Sequence, residues 1–448
     1  MKRKIFLIAA GIILTAGISI SIVIFRLSHN ISESEVKTED VRHIQNLTGK
    51  KVTVLTNQPH IKSAEAIAKW FQDETGAVVQ NIVANYEDAL DLTLKDVSSS
   101  DPQLDVIMLW YADLGALVEN HAVVDLTDFI ENNRSIIKPD DFIPSIYGPY
   151  TLYKERRWAI PYDGDTHVLF YRKSVLEKYQ LKPPQTWDEY LKIGKIITEK
   201  ERENGFYGMA IMAPNNPMII ISSFMNRLGG YGGRLSDENG NPIINSKEAV
   251  AALSAMVEHS HYALPSPLET DWEVSRDAFL SGRVAMVEQW TDIGVMAEDP
   301  NQSLIQGDWG VVQMPMGSGE KAVHSPALNA GFSLALSSKA PDTEAAFAYL
   351  LFASRPDISL KLNLINGGID PVRISVITSE KYRVFAPEIS KAAKAALTQA
   401  TPWLVLPQTP QLLEILTDNI ILTLEGKQSP QQALEDTQEQ WLNILNKN

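Results

Sequence analysis

Apolar positions along the chain alternate between two periods. KVTVLT (Lys51–Thr56) is a β-branched run of strand type. In SAEAIAKWFQDETG, which follows, Ala64, Ile67, Ala68 and Phe71 share one helical face, with Ser63 as the expected cap and Gly76 as the stop. AVVQNIV returns to strand period, YEDALDLTLKDV to helix, and DVIMLWY (Asp105–Tyr111) is an apolar run of buried-strand type. This alternation predicts α/β units around a mainly parallel sheet. Farther on, Thr186 and Glu189 form a capping box after Pro183-Pro184, and helical spacing dominates from 186 to 300. DWGVVQMP (Asp308–Pro315) reads as a strand returning to the first sheet, and GFSLALSS as a strand before the helix TEAAFAYLLFA. The last helix is capped by Ser429, with Pro430 in its first turn and Gln432 completing a box.

Upstream of all this, Ile5–Phe25 carries no charge and as a helix would span about 31 Å, enough for a hydrocarbon core of about 30 Å. Lys2, Arg3 and Lys4 would hold its start in the cytoplasm. Residues 1–26 are therefore an N-terminal membrane anchor or a signal peptide. Run length favours the anchor, because the only small-x-small site near the end, Ser19-Ile20-Ser21, is followed by more apolar residues. Residues 27–48 are polar and aperiodic, a linker. Either reading exports the remainder.

The 448 residues give room for two to three domains and a large core. The net charge is -15, and the four basic groups among the first 26 residues mask a still more acidic remainder. Such a surface repels phosphate backbones, so no nucleic acid is expected as a partner. Cysteine is absent, which excludes disulfides, thiolate catalysis and Cys-ligated zinc.

Candidate chemistry centres on PYDGDTHVLFYR (Pro161–Arg172). Asp163 and Asp165 point to one face if the backbone is extended, and Gly164 permits a sharp turn or a close approach. An ionised carboxylate accepts through two oxygens, which suits neighbouring sugar hydroxyls. The bland alternative is a solvated turn. A glycosidase pair would need carboxyls ~5–9.5 Å apart across the scissile bond, which neighbours on one loop seldom provide. His167 reads as a packing residue. The glycines of GGYGG (229–233) lack a phosphate loop's context and read as an irregular turn exposing Tyr231, while Glu258–His261 reads as a solvated helix end. Trp110-Tyr111, Trp290 and Trp403 lie beside loops, where an aromatic face could meet the apolar face of a sugar ring; Trp110 follows a strand's carboxyl end, where open α/β sheets bind ligands. Arg373 ends the stiff loop GGIDPVR and offers a fixed fork of donors, either to sugar oxygens or to Asp163 or Asp165; solvent is its bland alternative. No G-x-S-x-G, HExxH or Walker loop is present, so no enzyme activity, cofactor or metal is expected.

Four blocks in order carry a resemblance: WAIPYDGDTHVLFYRKSVLEKYQLKPPQTWDEYL, DAFLSGRVAMVEQW, GFSLALSSKAPDTEAAFAYLLFA and GGIDPVR. From about residue 50 onward the chain resembles the sugar-binding family of extracellular solute-binding proteins of ABC transporters, which includes maltose-binding protein. The resemblance implies an α/β, two-lobed periplasmic-binding-protein fold of class II type with a ligand cleft between the lobes. Lobe 1 is expected from 49–162 and 306–360, lobe 2 from 163–305 and 361–448. It implies a sugar or polyol ligand, delivery to ABC permease subunits with a cytoplasmic ATPase, and a monomer on the periplasmic side of the inner membrane; a membrane-tethered sugar sensor subunit is the alternative, and a secreted glycoside hydrolase a less favoured one. By matching position it points to Asp163, Asp165, Trp290, Gly331 and Arg373 as ligand contacts, with Tyr162 brought to the cleft by the crossing. Asn57, Trp110, Tyr111 and Tyr231 join them on loop position alone. The missing lipid-accepting cysteine departs from a common family habit and favours a Gram-negative periplasm over a lipid-anchored surface.

Overall fold

The computed structural model describes residues 46–447 apart from 238–239, 329–330 and 366–367. The anchor or signal segment, and the linker as far as residue 45, lie outside them. Among the described residues no helix is long and apolar enough to cross a membrane.

Two sheets organise the described chain, both within one compact unit. The first is built from β1 (Lys51–Asn57), β2 (Val78–Ala84), β3 (Val106–Trp110), β4 (Ile160–Asp163) and β9 (Phe332–Leu336), in the order β2-β1-β3-β9-β4. β1 lies parallel to β2 and β3, whereas β9 runs antiparallel to both β3 and β4. The second contains β5 (His167–Arg172), β6 (Tyr207–Ala210), β7 (Val284–Trp290) and β8 (Trp309–Val312), in the order β8-β5-β7-β6. Only its β6–β7 pair is parallel. Both sheets are thus mixed rather than mainly parallel: strands that return from the opposite half enter against the local direction.

The largest departure from expectation is β8. It pairs with β5, Trp309 opposite Arg172, and so closes the second sheet instead of returning to the first. Its indole packs on Phe170 with ring centroids 5.9 Å apart, and Arg172 holds Asp308 at 2.6 Å. The return to the first sheet is made by residues 313–331. After the helix Thr343–Ala353, the helices Pro356–Asn363 and Ile374–Ile377 pack on the first-sheet side, so not all of 361–448 joins the second sheet.

Helix ends obey local rules. Thr186 Oγ1 accepts from Glu189 N at 3.2 Å, Ser429 Oγ from Gln432 N at 3.2 Å, and Gly76 closes the helix α1 (Ile61–Thr75) at φ +79°. Ser63 is not a cap; α1 begins two residues earlier and buries it. The GGYGG run also differs from an irregular turn. Gly229 and Gly230 end helix α4 (Pro217–Gly230), where a Cβ on either would strike Ser325 or Trp187. Nor is the 258–261 stretch simply solvated, since His259 is buried and accepts from Arg227 Nε at 3.2 Å. Arg227 in turn pairs with Glu288 at 2.6 Å, both buried, which compensates a charge that burial alone would penalise.

Candidate functional site

Three stretches meet at one place between the sheets. The β4–β5 link is only Gly164–Thr166, so Asp163 ends one sheet as His167 starts the other. A Cβ on Gly164 would overlap Pro371 O, and Gly164 N donates to Asp370 O at 3.2 Å. The glycine therefore admits another backbone segment, not a ligand. Asp163, fully buried, pins that segment: its Oδ1 accepts from Asp370 N at 2.6 Å and its Oδ2 lies 3.0 Å from His60 Nε2. Thr291, just past β7, donates its hydroxyl to Asp370 Oδ1.

Between the sheets lies a cavity of about 190 Å³. The first-sheet side contributes Pro59, His60, Lys62, Tyr86, Phe332 and Gly368. The second contributes Met218, Ile219, Trp272, Trp290, Asp292 and Met296, and Asp165 enters from the crossing itself. Strand register explains the convergence. Phe332 sits opposite both Trp110 and Asp163, and Trp290 opposite His167, so both aromatic residues fall at the sheet ends facing the crossing. The Trp290 indole packs edge-on to His167 at 4.3 Å and is 8% exposed; its Nε1 has no partner, leaving a buried donor on the cavity wall. Aromatic faces with a few fixed polar groups are the ordinary make-up of a small-molecule site.

The electrostatics are acidic. Burial, then the charges of Asp163 and Asp370, hold the Asp165 carboxyl well above its usual range. Burial, then Asp292 and Asp163, do the same to Asp370. Burial and the neighbouring carboxyls thus favour the protonated form of both, and a protonated carboxyl can donate as well as accept. Asp292 is pushed up to about 6 by burial and Asp163, against the opposing pull of Arg276 and His60. Among the described residues no three metal-ligating side chains gather to hold an ion.

Of the ten residues singled out from sequence, Asp165 and Trp290 line the cavity and Asp163 stands directly behind it. Tyr162 is buried against His60, rings 5.9 Å apart, below the cavity floor. Gly331 is needed by Tyr150, whose hydroxyl a Cβ would overlap. Tyr111 stacks on Tyr150 at 4.4 Å, donates to Leu328 O and accepts from Trp403 N at 2.9 Å; it holds a crossing segment in place. Trp110 packs edge-on to Trp403 at 5.1 Å, and Asn57 is fully buried at the end of β1; neither borders the cavity. Tyr231 is half-buried over Gly317, away from the crossing. Arg373 pairs with neither Asp163 nor Asp165. It is 1% exposed, donates to Ile137 O at 2.8 Å, to Lys138 O and to Ser354 O, lies 3.4 Å from Asp141, and covers the Phe142 ring at 3.9 Å. A guanidinium saturated by carbonyls has no fork left for a ligand.

Sequence reasoning missed His60, Tyr86, Trp272, Asp292 and Phe332. For His60 and Asp292 there was a usable signal, since one follows β1 and the other β7, within a few residues of the strand's carboxyl end.

Residues 56–358 match the family described as bacterial extracellular solute-binding protein. A probable amino-acid ABC transporter periplasmic-binding protein of Sinorhizobium fredii is 21% identical, over 87% of this chain and 88% of its own. Among solved structures, a solute-binding protein of Agrobacterium radiobacter K84 in complex with ribitol superposes with a TM-score of 0.78 at 24% identity, over 88% of this chain and 99% of that one. The maltose-bound MalE3 of T. maritima gives 0.79 at 23% identity, with coverage of 88% and 99%. With its two-lobed α/β architecture and a family match that extends over most of its length, the chain belongs to the bacterial extracellular solute-binding proteins.

Proposed function

We propose that this protein captures a neutral, polyhydroxylated solute, a sugar or polyol, in the inter-sheet cavity and hands it to the membrane subunits of an ABC importer whose ATPase lies in the cytoplasm. The observation that carries the reading is the cavity's chemistry: Asp165 and Asp292 beside the unpartnered indole N–H of Trp290, between the aromatic walls of Trp272, Tyr86 and Phe332. Ribitol and maltose in two structurally similar proteins support it. Carboxyls accept from hydroxyls, the indole donates to one, and the rings cover C–H faces. A hydroxyl in the wrong place leaves a buried group unpaired at about 1–3 kcal/mol, which gives selectivity. The protein binds its solute unaltered, as a monomer.

One lobe comprises the first sheet with residues 46–163 and 332–377, the other the second sheet with 167–312 and most of the helices beyond 387, and the three crossings act as the hinge. Ile5–Phe25 keeps the protein on the outer face of the inner membrane as an uncleaved anchor; fractionation that found it only in the soluble periplasm would remove that part.

A thermal-shift screen of residues 46–448 against sugars and polyols tests the reading, because a ligand that binds only the native state raises its melting temperature. A stabilising sugar recovered unchanged is the expected result. A panel that shifts nothing, or a sugar returned as a cleaved product, defeats it.

A further inference from the structure

The cavity has a neighbour. A second hollow of about 500 Å³ opens on its outer side, and Pro59, Tyr86, Ile219 and Trp272 line both. The outer one is rimmed by Gln58, Asn85, Asn215, Asp271 and Glu273, amides and carboxylates that suit hydroxyl groups as the inner one does. Tyr86 is part of the partition, and it is held from the opposite lobe. Asn216, which caps α4, donates from Nδ2 to Tyr86 Oη at 3.0 Å and to Glu87 Oε1 at 2.7 Å, across 130 residues of sequence. Its Oδ1 remains with the helix, accepting from Ile219 N at 3.4 Å.

We propose that Tyr86, clamped by Asn216, is a ligand-length determinant, and that the outer hollow is an extension subsite which a second sugar unit can enter only when the clamp is lost. The inner cavity alone has room for on the order of a dozen water-sized groups, at ~10–15 Å³ each, the size of one hexose or a six-carbon polyol. A disaccharide would have to displace Tyr86 and break both Asn216 bonds. The inference rests on the sugar-receptor reading and adds to it a limit on chain length with the residues that set it.

The test uses ribitol, D-mannitol and D-tagatose as short probes and maltose and maltotriose as long ones, with affinities from calorimetry. The wild type is expected to prefer its best short probe to maltose by about tenfold or more. Asn216→Ser keeps an N-cap hydroxyl but cannot span the cleft, and Tyr86→Ala removes the partition. Both should improve maltose relative to the short probe by roughly tenfold, Asn216→Ser through the loss of two hydrogen bonds and Tyr86→Ala through the loss of one together with the ring that divides the hollows. Adding Asn215→Trp to Asn216→Ser fills the outer hollow and should cancel the gain for maltose alone, a readout that mere loosening of the fold would not give. A wild type that binds maltose as tightly as the short probes, or a preference unmoved in both variants, overturns the inference while leaving the receptor reading intact. A wild type that binds none of the five overturns the inference, while the receptor reading falls only if the full panel of sugars and polyols also shifts nothing.

Discussion

At the scale of single residues, the two aspartates of Tyr-Asp-Gly-Asp divide the labour. Asp165 borders the cavity, and Asp163 anchors Asp370 N and His60 behind it. Asp165→Asn should therefore weaken solute binding by about 1–3 kcal/mol with a modest effect on folding, whereas Asp163→Ala should lower stability by roughly 3 kcal/mol because it strands a buried N–H and imidazole. Arg373→Ala belongs with the second kind: denaturant unfolding should show a loss of about 3 kcal/mol or more, while the loop carrying Asp370 keeps the binding defect secondary. Trp290→Phe keeps a ring and deletes one donor, so calorimetry should register a loss of about 1 kcal/mol for a ligand whose oxygen accepts from Nε1. The sequence announced residue types well and their partners poorly. Arg373 looked like a ligand fork because nothing local reveals that Ile137, Lys138 and Ser354 turn their carbonyls toward it. Asp292 was passed over two positions from Trp290, because an exposed-looking Thr-Asp after a strand has no periodicity to mark it.

At the scale of elements, what local chemistry controls was readable and what pairing controls was not. The Thr186 and Ser429 caps and the Gly76 stop depend on residues within one turn, and they stand where the sequence places them. β8 depends on Arg172 and Phe170, more than 130 positions away, and so its sheet could not be read from its own alternation. Crossing elements obey the same distinction. Gly331 has an ordinary backbone and lies before β9, yet a methyl there would collide with the Tyr150 hydroxyl. Tyr150 also stacks on Tyr111, which holds Leu328 and Trp403. Gly331→Ala should thus displace the whole stack, costing about 1–3 kcal/mol as overpacking does, and Tyr150→Phe in the same chain should restore part of the loss. Unfolding curves of the two variants and their combination read this directly.

At the scale of the whole molecule, four carboxyls from three stretches meet between the halves: Asp163 and Asp165, Asp292, and Asp370, faced by His60, Arg276, Tyr150 and Tyr382. Joining the lobes draws protons into the fold. Asp165, Asp292 and Asp370 all bind protons more tightly folded than unfolded, so between an unfolded carboxyl near pH 4 and the raised folded values the native state carries more protons. Stability contributed by this cluster is fully present below the unfolded value and is lost as pH rises, through about 6 for Asp292, with Asp165 and Asp370 shifted in the same direction. Carboxylates elsewhere pull the opposite way: Asp308 and Asp342, held low by Ser174, Arg172 and Lys50, gain their stabilisation as they ionise, and that gain is complete below pH 5. From pH 5 to 7 the cluster's slope is joined by Asp113, pushed up to about 7 by burial and then Asp91, and opposed by His167 and His259, which burial and Arg227 make harder to protonate in the fold. Asp292→Asn, which cannot ionise, should accordingly gain roughly 1 kcal/mol relative to the wild type on going from pH 5 to pH 7. Urea unfolding of both proteins at the two pH values measures it; equal slopes in wild type and variant would mean that Asp292 ionises as freely in the folded chain as in the unfolded one, and that the proton is not part of what joins the lobes.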